Sequence, residues 1–346
     1  MFATRSAPGI AARAAGLLLG LALAATACSS DGPESLKLLT HDSFAISQTT
    51  LDAFTEETGI EIELLSGGDA GAMLAQAILT KDNPIADVIF GIDNTFLSRA
   101  VDEEITVPYS APALPDLHPL TRLDDTNRFT PIDYGDVCLQ YEKDVFGDVD
   151  PSALFYNPSF GDQLVVQDPS TSSPGLAFLF ATIAAFPDGW QDYWSALRQE
   201  GVLVVSGWEE AFYGEFSAAS DGERPVVVSY GSSPVFEIVF ATEPIDEPIT
   251  AIVEESCFRQ VEFAGILGGT DSREEAGRFI DFMLTPQFQE DIPLNMFVYP
   301  ANADAALPAE FVEFGPRAEN PITLTPAEIE AGRLDWTERW NEIGLG

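Results

Sequence analysis

The chain has 346 residues, 46% of them hydrophobic, enough for one or two buried cores. Its 56 Asp and Glu against 16 Lys and Arg give a net charge of −40, which excludes a nucleic-acid binder working through a basic surface and disfavours docking on an anionic membrane. Charged residues are only 21% of the chain, so it is no disordered acidic polymer, and three Cys with two His leave little for a Cys/His zinc site. The acidity reads either as a solvated, salt-tolerant surface or as a field that draws in a cationic ligand.

Residues 1–27 read as an export signal. Arg5 and Arg13 are followed by the apolar run 14–27, too short to cross a bilayer, which takes about 20 residues. The run ends in Ala25-Thr26-Ala27-Cys28, which resembles a bacterial lipoprotein signal with Cys28 as the lipidated residue. A polar tether over 28–35 follows. The pattern then predicts a strand over 36–40 and a helix over 47–58 stopped by Gly59. A strand over 60–65, a helix over 71–80, a strand over 88–92 and a helix over 94–102 come next. Residues 105–131 look irregular. A second block follows, with strands at 164–167, 202–206 and 226–230 and helices at 175–186, 190–199, 208–219 and after Pro234. The chain closes with a strand over 257–267, a helix over 271–284 and a shorter one after Pro286. An amphipathic helix over 326–342 ends it, anchored by Leu334, Trp336, Trp340 and Ile343. Strand–helix alternation in two blocks predicts an α/β protein of two lobes built on parallel sheet.

In such sheets ligands sit beyond the carboxyl ends of the strands. Those ends carry His41-Asp42-Ser43, the turn 66–71, Asp93-Asn94, the turn 168–175, Gly207-Trp208 and the turn 230–234. Turns 66–71 and 170–175 are rich in Gly or hydroxyls and open helices. They read as simple helix caps or, taken together, as a two-sided anion site made of backbone N–H groups. Trp208, Tyr230, Phe236 and Phe297 offer aromatic faces, and Asp42, Asp93 and Asp133 could neutralise a cation or bind an amine. No G-x-S-x-G motif occurs, and His41 and His118 are the only histidines, which argues against a Ser-His-Asp hydrolase.

The segments LLTHDSFA (38–45), ADVIFGIDNT (86–95), TPIDYG (130–135), QDPSTSSPGL (167–176), SGWEEAF (206–212), VVVSYGSSP (226–234) and LTPQFQEDIPLNMFVYPAN (284–302) resemble the thiamine-binding proteins of bacterial thiamine ABC transporters. The resemblance spans about residues 36–342 in order. It implies a two-lobed periplasmic-binding-protein fold of type II, with 36–135 and 258–346 as one lobe, 136–257 as the other, and the ligand cleft between lobes joined by hinge strands. The implied function is capture, not chemistry. An extracytoplasmic, lipid-anchored monomer would close on thiamine or a thiamine phosphate and dock on a membrane permease, with no cofactor, metal or nucleic acid. Asp42 and Ser43 match the family's first ligand turn, and Asp69, Ala70 and Gly71 the helix-opening turn that approaches phosphate. Ser172 and Trp208 match further phosphate-side contacts, and Tyr230 a tyrosine packed on the rings. Asp93 completes the expected set. Phe236 stands where the family usually has tyrosine, and Phe297 where it has tryptophan. Hinge strands in this fold run side by side, so Cys138 and Cys257, each in a strand-like run, are expected to form a disulfide worth about 3–4 kcal/mol in the chain-entropy picture. The rival readings are a ferric-ion or polyamine receptor of the same fold and a thiaminase I-like enzyme with Cys138 as nucleophile and an acid such as Glu262 as base. Ferric relatives commonly carry adjacent tyrosines, and this chain has no Tyr-Tyr pair.

Overall fold

A computed structural model describes residues 35–344. The expected export signal, Cys28 and the tether up to residue 34 lie outside the described residues. The ten strands are β1 (Ser35–Thr40), β2 (Glu61–Ser66), β3 (Val88–Asp93), β4 (Thr106–Val107), β5 (Thr130–Glu142), β6 (Leu164–Gln167), β7 (Leu203–Val205), β8 (Val226–Tyr230), β9 (Thr250–Leu267) and β10 (Tyr299–Pro300). They form one sheet in the order β2-β1-β3-β9-β5-β8-β6-β7, with β4 on β9 and β10 on β5.

β1, β2 and β3 run parallel, and so do β6, β7 and β8. Between these halves lie β5 and β9, of 13 and 18 residues, antiparallel to each other and to their outer neighbours. The parallel sheet read from the alternation is therefore two parallel halves around an antiparallel centre. Side chains alternate across the sheet. Leu36 and Leu38 join Phe54, Phe279 and Met283 in one layer, while Leu39 joins Met73 and Leu74 in the other. The helix Gln48–Thr58 follows its sequence signals: the Ser47 hydroxyl accepts from Thr50 N–H, and Gly59, at φ +76°, closes the far end.

Several elements differ from expectation for local reasons. The helix expected from residue 94 begins at Leu97, because the Asp93 carboxylate takes the N–H groups of Thr95 and Phe96. The helix expected over 208–219 ends at Glu215, after a π turn in which Phe216 N–H donates to Ala211 O. Residues 130–135 join β5 despite Pro131, which sits opposite Phe263 at a register shift. The last strand reaches back from 257 to Thr250. The stretch 105–131 holds β4 and two 3-10 turns. In the C-terminal helix Pro326–Gly344 the inward stripe runs through Ile329, Arg333, Trp336 and Trp340, so Leu334, expected as an anchor, is exposed. Trp340 meets Trp194 edge-on at 5.5 Å, and Trp336 meets Phe180 at 5.5 Å. This helix packs on Leu97–Asp102 of the β1–β3 half and on Trp190–Glu200 of the β6–β8 half. Cys138 on β5 and Cys257 on β9 are bonded, with S–S 2.02 Å, and both are fully buried.

Candidate ligand-binding site

Residues following β1, the segment 208–213, the end of β8 with the helix after it, and the segment 294–298 enclose a cavity of about 300 Å³, at the small end of small-molecule sites. One wall is aromatic. Trp208 stacks on Phe212 at 4.9 Å and meets Tyr230 edge-on at 6.2 Å, while Phe236 meets Phe297 at 5.4 Å. Trp208 Nε1 donates to Ser229 Oγ at 3.0 Å, which fixes the indole. Phe297 holds a left-handed backbone, φ +56°, and caps the helix Ile292–Met296 through its N–H to Pro293 O. Its carbonyl accepts from the Ser232 hydroxyl. A bulky residue is thus pinned where glycine or asparagine is commoner, and its ring faces the cavity.

The charged part of the lining is mainly acidic. Asp42, Glu209 and Glu262 reach the cavity, and no Lys or Arg does among the described residues. His41 lies 3.7 Å from Glu262 and bonds Ser43 Oγ through Nδ1 at 2.9 Å. Burial lowers the His41 pKa, but the Glu262 charge outweighs it and the imidazole ends above its usual value. Gly91 makes room for this ring: at φ +96°, a Cβ there would lie 2.1 Å from His41 Cδ2.

Of the residues expected in the site, Asp42, Ser43, Trp208, Tyr230, Phe236 and Phe297 line the cavity. Asp69, Ala70, Gly71 and Ser172 stand beside it, where the two helix-opening turns meet. Asp69 Oδ1 accepts from Ala70 N–H at 2.6 Å and Ser173 N–H at 3.2 Å, and Oδ2 from Trp208 N–H at 3.0 Å. Gly71 N–H donates to Thr171 O at 3.0 Å. The N–H groups expected to face an anion from two sides are here engaged by Asp69 and by the facing turn. Burial nevertheless raises the Asp69 pKa. Ser172 caps the helix Ser173–Ala185 and is fully buried. Asp93 is buried below the cavity, bound by Thr95, Ser173 and Gln260, and desolvation pushes its pKa up to about 6.

Sequence reasoning left out Glu209, Phe212 and Tyr213, although the SGWEEAF run contains the first two and ends beside the third, and it weighed Glu262 only as a base. Glu262 interrupts an apolar run, between Val261 and Phe263. A charged residue in a central strand was the signal available. Among the described residues, no group of three or more His, Cys, Asp or Glu is arranged to hold a metal ion, and no helix is long and apolar enough to cross a membrane.

Residues 83–313 match the model of the bacterial extracellular solute-binding proteins. The chain belongs to this family. It is 31% identical over 312 residues to the thiamine-binding periplasmic protein of Salmonella typhimurium, covering 88% of this chain and 92% of that one. It is 28% identical over 331 residues to the thiamine-binding periplasmic protein of Brucella suis, covering 93% and 94%. Among solved structures it resembles a periplasmic thiamin binding protein, with TM-score 0.81, 28% identity and coverage of 91% and 97%. Iron-bound HitA from Pseudomonas aeruginosa shares the fold, with TM-score 0.74 at 20% identity over 90% of this chain and all of that one. The chain is therefore a solute-binding protein with the two-lobed, type II fold.

Proposed function

We propose that this protein captures thiamine, free or as a phosphate ester, outside the cytoplasm and delivers it to an ABC permease. The observation that carries the reading is the lining of the cavity: the aromatic faces of Trp208, Tyr230, Phe236 and Phe297, the carboxylates of Asp42, Glu209 and Glu262, and, among the described residues, no Lys or Arg. A thiazolium cation joined to an aminopyrimidine suits such a site, because aromatic faces attract organic cations and stack on heteroaromatic rings. The printed names of the relatives point to the same ligand. Phosphate on the ligand would reach the junction at Asp69, Gly71 and Ser172, where backbone N–H groups exchange Asp69 for a more strongly anionic partner. Lipidation at Cys28 would keep the protein, acting as a monomer, close to its permease.

Capture without turnover is favoured by Cys138, which is bonded to Cys257 and fully buried and so offers no thiolate. Calorimetric titration of the purified protein with thiamine and thiamine diphosphate tests the reading. One-to-one saturable binding, with the ligand recovered intact, is expected. Absence of heat with either, alongside binding of spermidine or ferric citrate, would transfer the cavity to another solute.

A further inference from the structure

Beneath the aromatic wall, three acidic residues stand in one row across the centre of the sheet. Glu262 of β9 is in register with Asp93 of β3 on one side and Asp133 of β5 on the other. The three come from segments far apart in sequence. Asp93 is fully supplied with donors. Asp133 is not: it is completely buried, and neither carboxylate oxygen has a hydrogen-bond partner. The residue opposite it on β9 is Glu262, whose carboxylate reaches the cavity while remaining only 6% exposed. Two carboxylates side by side, out of water and without a cation between them, cannot both ionise cheaply; a proton held between them satisfies both.

We propose that Asp133 keeps a proton against the Glu262 carboxylate and that a cationic solute entering the cavity displaces it to solvent, so that capture is coupled to proton release. Glu262 is then the counter-charge of the solute, and Asp133 is a positioning residue whose proton lies against it. The inference rests on the proposed cationic ligand. The other groups facing the pair fit this role. His41 stands 3.7 Å from Glu262 after β1, with its Nε2 unpartnered. Tyr230 faces it from β8, and its hydroxyl is held neutral by burial and by the charges of Glu262, Asp69, Asp93 and Asp133. Arg259 of β9 is engaged by Asp136 instead. β10 sets Pro300 opposite Asp133, and its Tyr299 lies under Arg317. Burial and the Glu262 charge both raise the Asp133 pKa, in agreement with a retained proton.

Sign follows from charge. The pair carries one negative charge when it holds the proton and two when it does not. A cation favours the second form, so affinity rises with pH, by up to about tenfold per pH unit while the proton is being displaced.

Thiamine titrated into the intact protein, between about pH 5 and pH 8 and in buffers of different ionisation enthalpy, reads this directly. The expected result is release of up to about one proton per thiamine, falling away as pH rises. Asp133→Asn removes the retained proton and is expected to abolish most of that release. Glu262→Gln is expected to abolish it as well and to weaken thiamine by about tenfold or more at neutral pH. Circular dichroism of each variant verifies the fold. Thiamine binding with no proton release in the wild type would overturn the inference and leave the ligand assignment intact. Release that survives Asp133→Asn but disappears in His41→Gln would overturn it too, placing the proton on the imidazole. No thiamine binding at all would remove the reading on which it rests.

Discussion

Asp69 and Asp133 flank the same cavity region, and their surroundings treat the same functional group in opposite ways. Asp69 receives N–H groups from Ala70, Ser173 and Trp208, three donors brought from three segments. Asp133 receives none, and the residue opposite it in the sheet is another acid. Donors from the backbone fix the Asp69 carboxylate in place and offset part of the rise in pKa that burial imposes on it. Burial without donors leaves a proton as the cheapest partner. The first arrangement latches two turns together; the second makes a group that titrates. What decides between them is the source of the hydrogen, which is a property of the fold and not of the residue.

The largest expected effect tests the latch. Asp69→Ala leaves N–H groups from three segments without their acceptor and is expected to cost on the order of 2–4 kcal/mol in thermal or denaturant unfolding. A loss below about 1 kcal/mol would mean that water replaces the carboxylate freely and that the contrast with Asp133 is false. The next effect concerns Asp93 and Asp133, the two acids of the row whose pKa burial raises. A carboxyl whose folded pKa is raised contributes stability that is present below its ordinary range and lost as pH rises through the folded value. Asp93, raised to about 6, therefore predicts stability that declines from about pH 4 to about pH 6, and Asp133, raised by burial and by Glu262, adds to the decline in the same direction. Asp93→Asn is expected to remove on the order of 2 kcal/mol of that decline. Denaturant midpoints of wild type and variant across the window measure it, and parallel curves would show that Asp93 ionises normally.

Smaller effects belong to the aromatic wall. Trp208→Phe keeps a ring but loses the bond to Ser229 and is expected to weaken thiamine by about 1 kcal/mol in calorimetry. An unchanged affinity would show that packing alone orients that face. Phe236→Tyr supplies the hydroxyl that the resembled family usually carries there. It is expected to tighten binding by no more than about 1 kcal/mol, and weaker binding would show that the hydroxyl lacks a partner in this pocket.

Much of this was legible locally. The helix Gln48–Thr58 announces itself through Ser47 and Gly59, and the β1–β3 half follows from its strand–helix alternation. The aromatic wall was readable because Trp208, Tyr230, Phe236 and Phe297 sit in short motifs at element ends. The acid row was not. Asp93, Glu262 and Asp133 become neighbours only through the antiparallel pairing of β3, β9 and β5, and nothing within ten residues of any of them reveals the other two. The meeting of the two helix-opening turns escaped for a related reason. Each turn reads correctly as a helix start, but Asp69 becomes the acceptor of Ser173 and Trp208 only once the two halves of the sheet are set against each other. Local deviations came from side chains competing with the backbone, as when Asp93 delays the following helix to Leu97.

The Cys138–Cys257 bond has a topological consequence. It joins residues 119 apart, and β6, β7 and β8 all lie between them. That entire half of the sheet is a covalent ring hung from the central pair of strands. A single protease cut anywhere in the ring leaves one molecule, with both ends still gripped at the centre, and the two fragments part only when the bond is reduced. For a protein working outside the cell, a severed loop on this half need not mean a lost half.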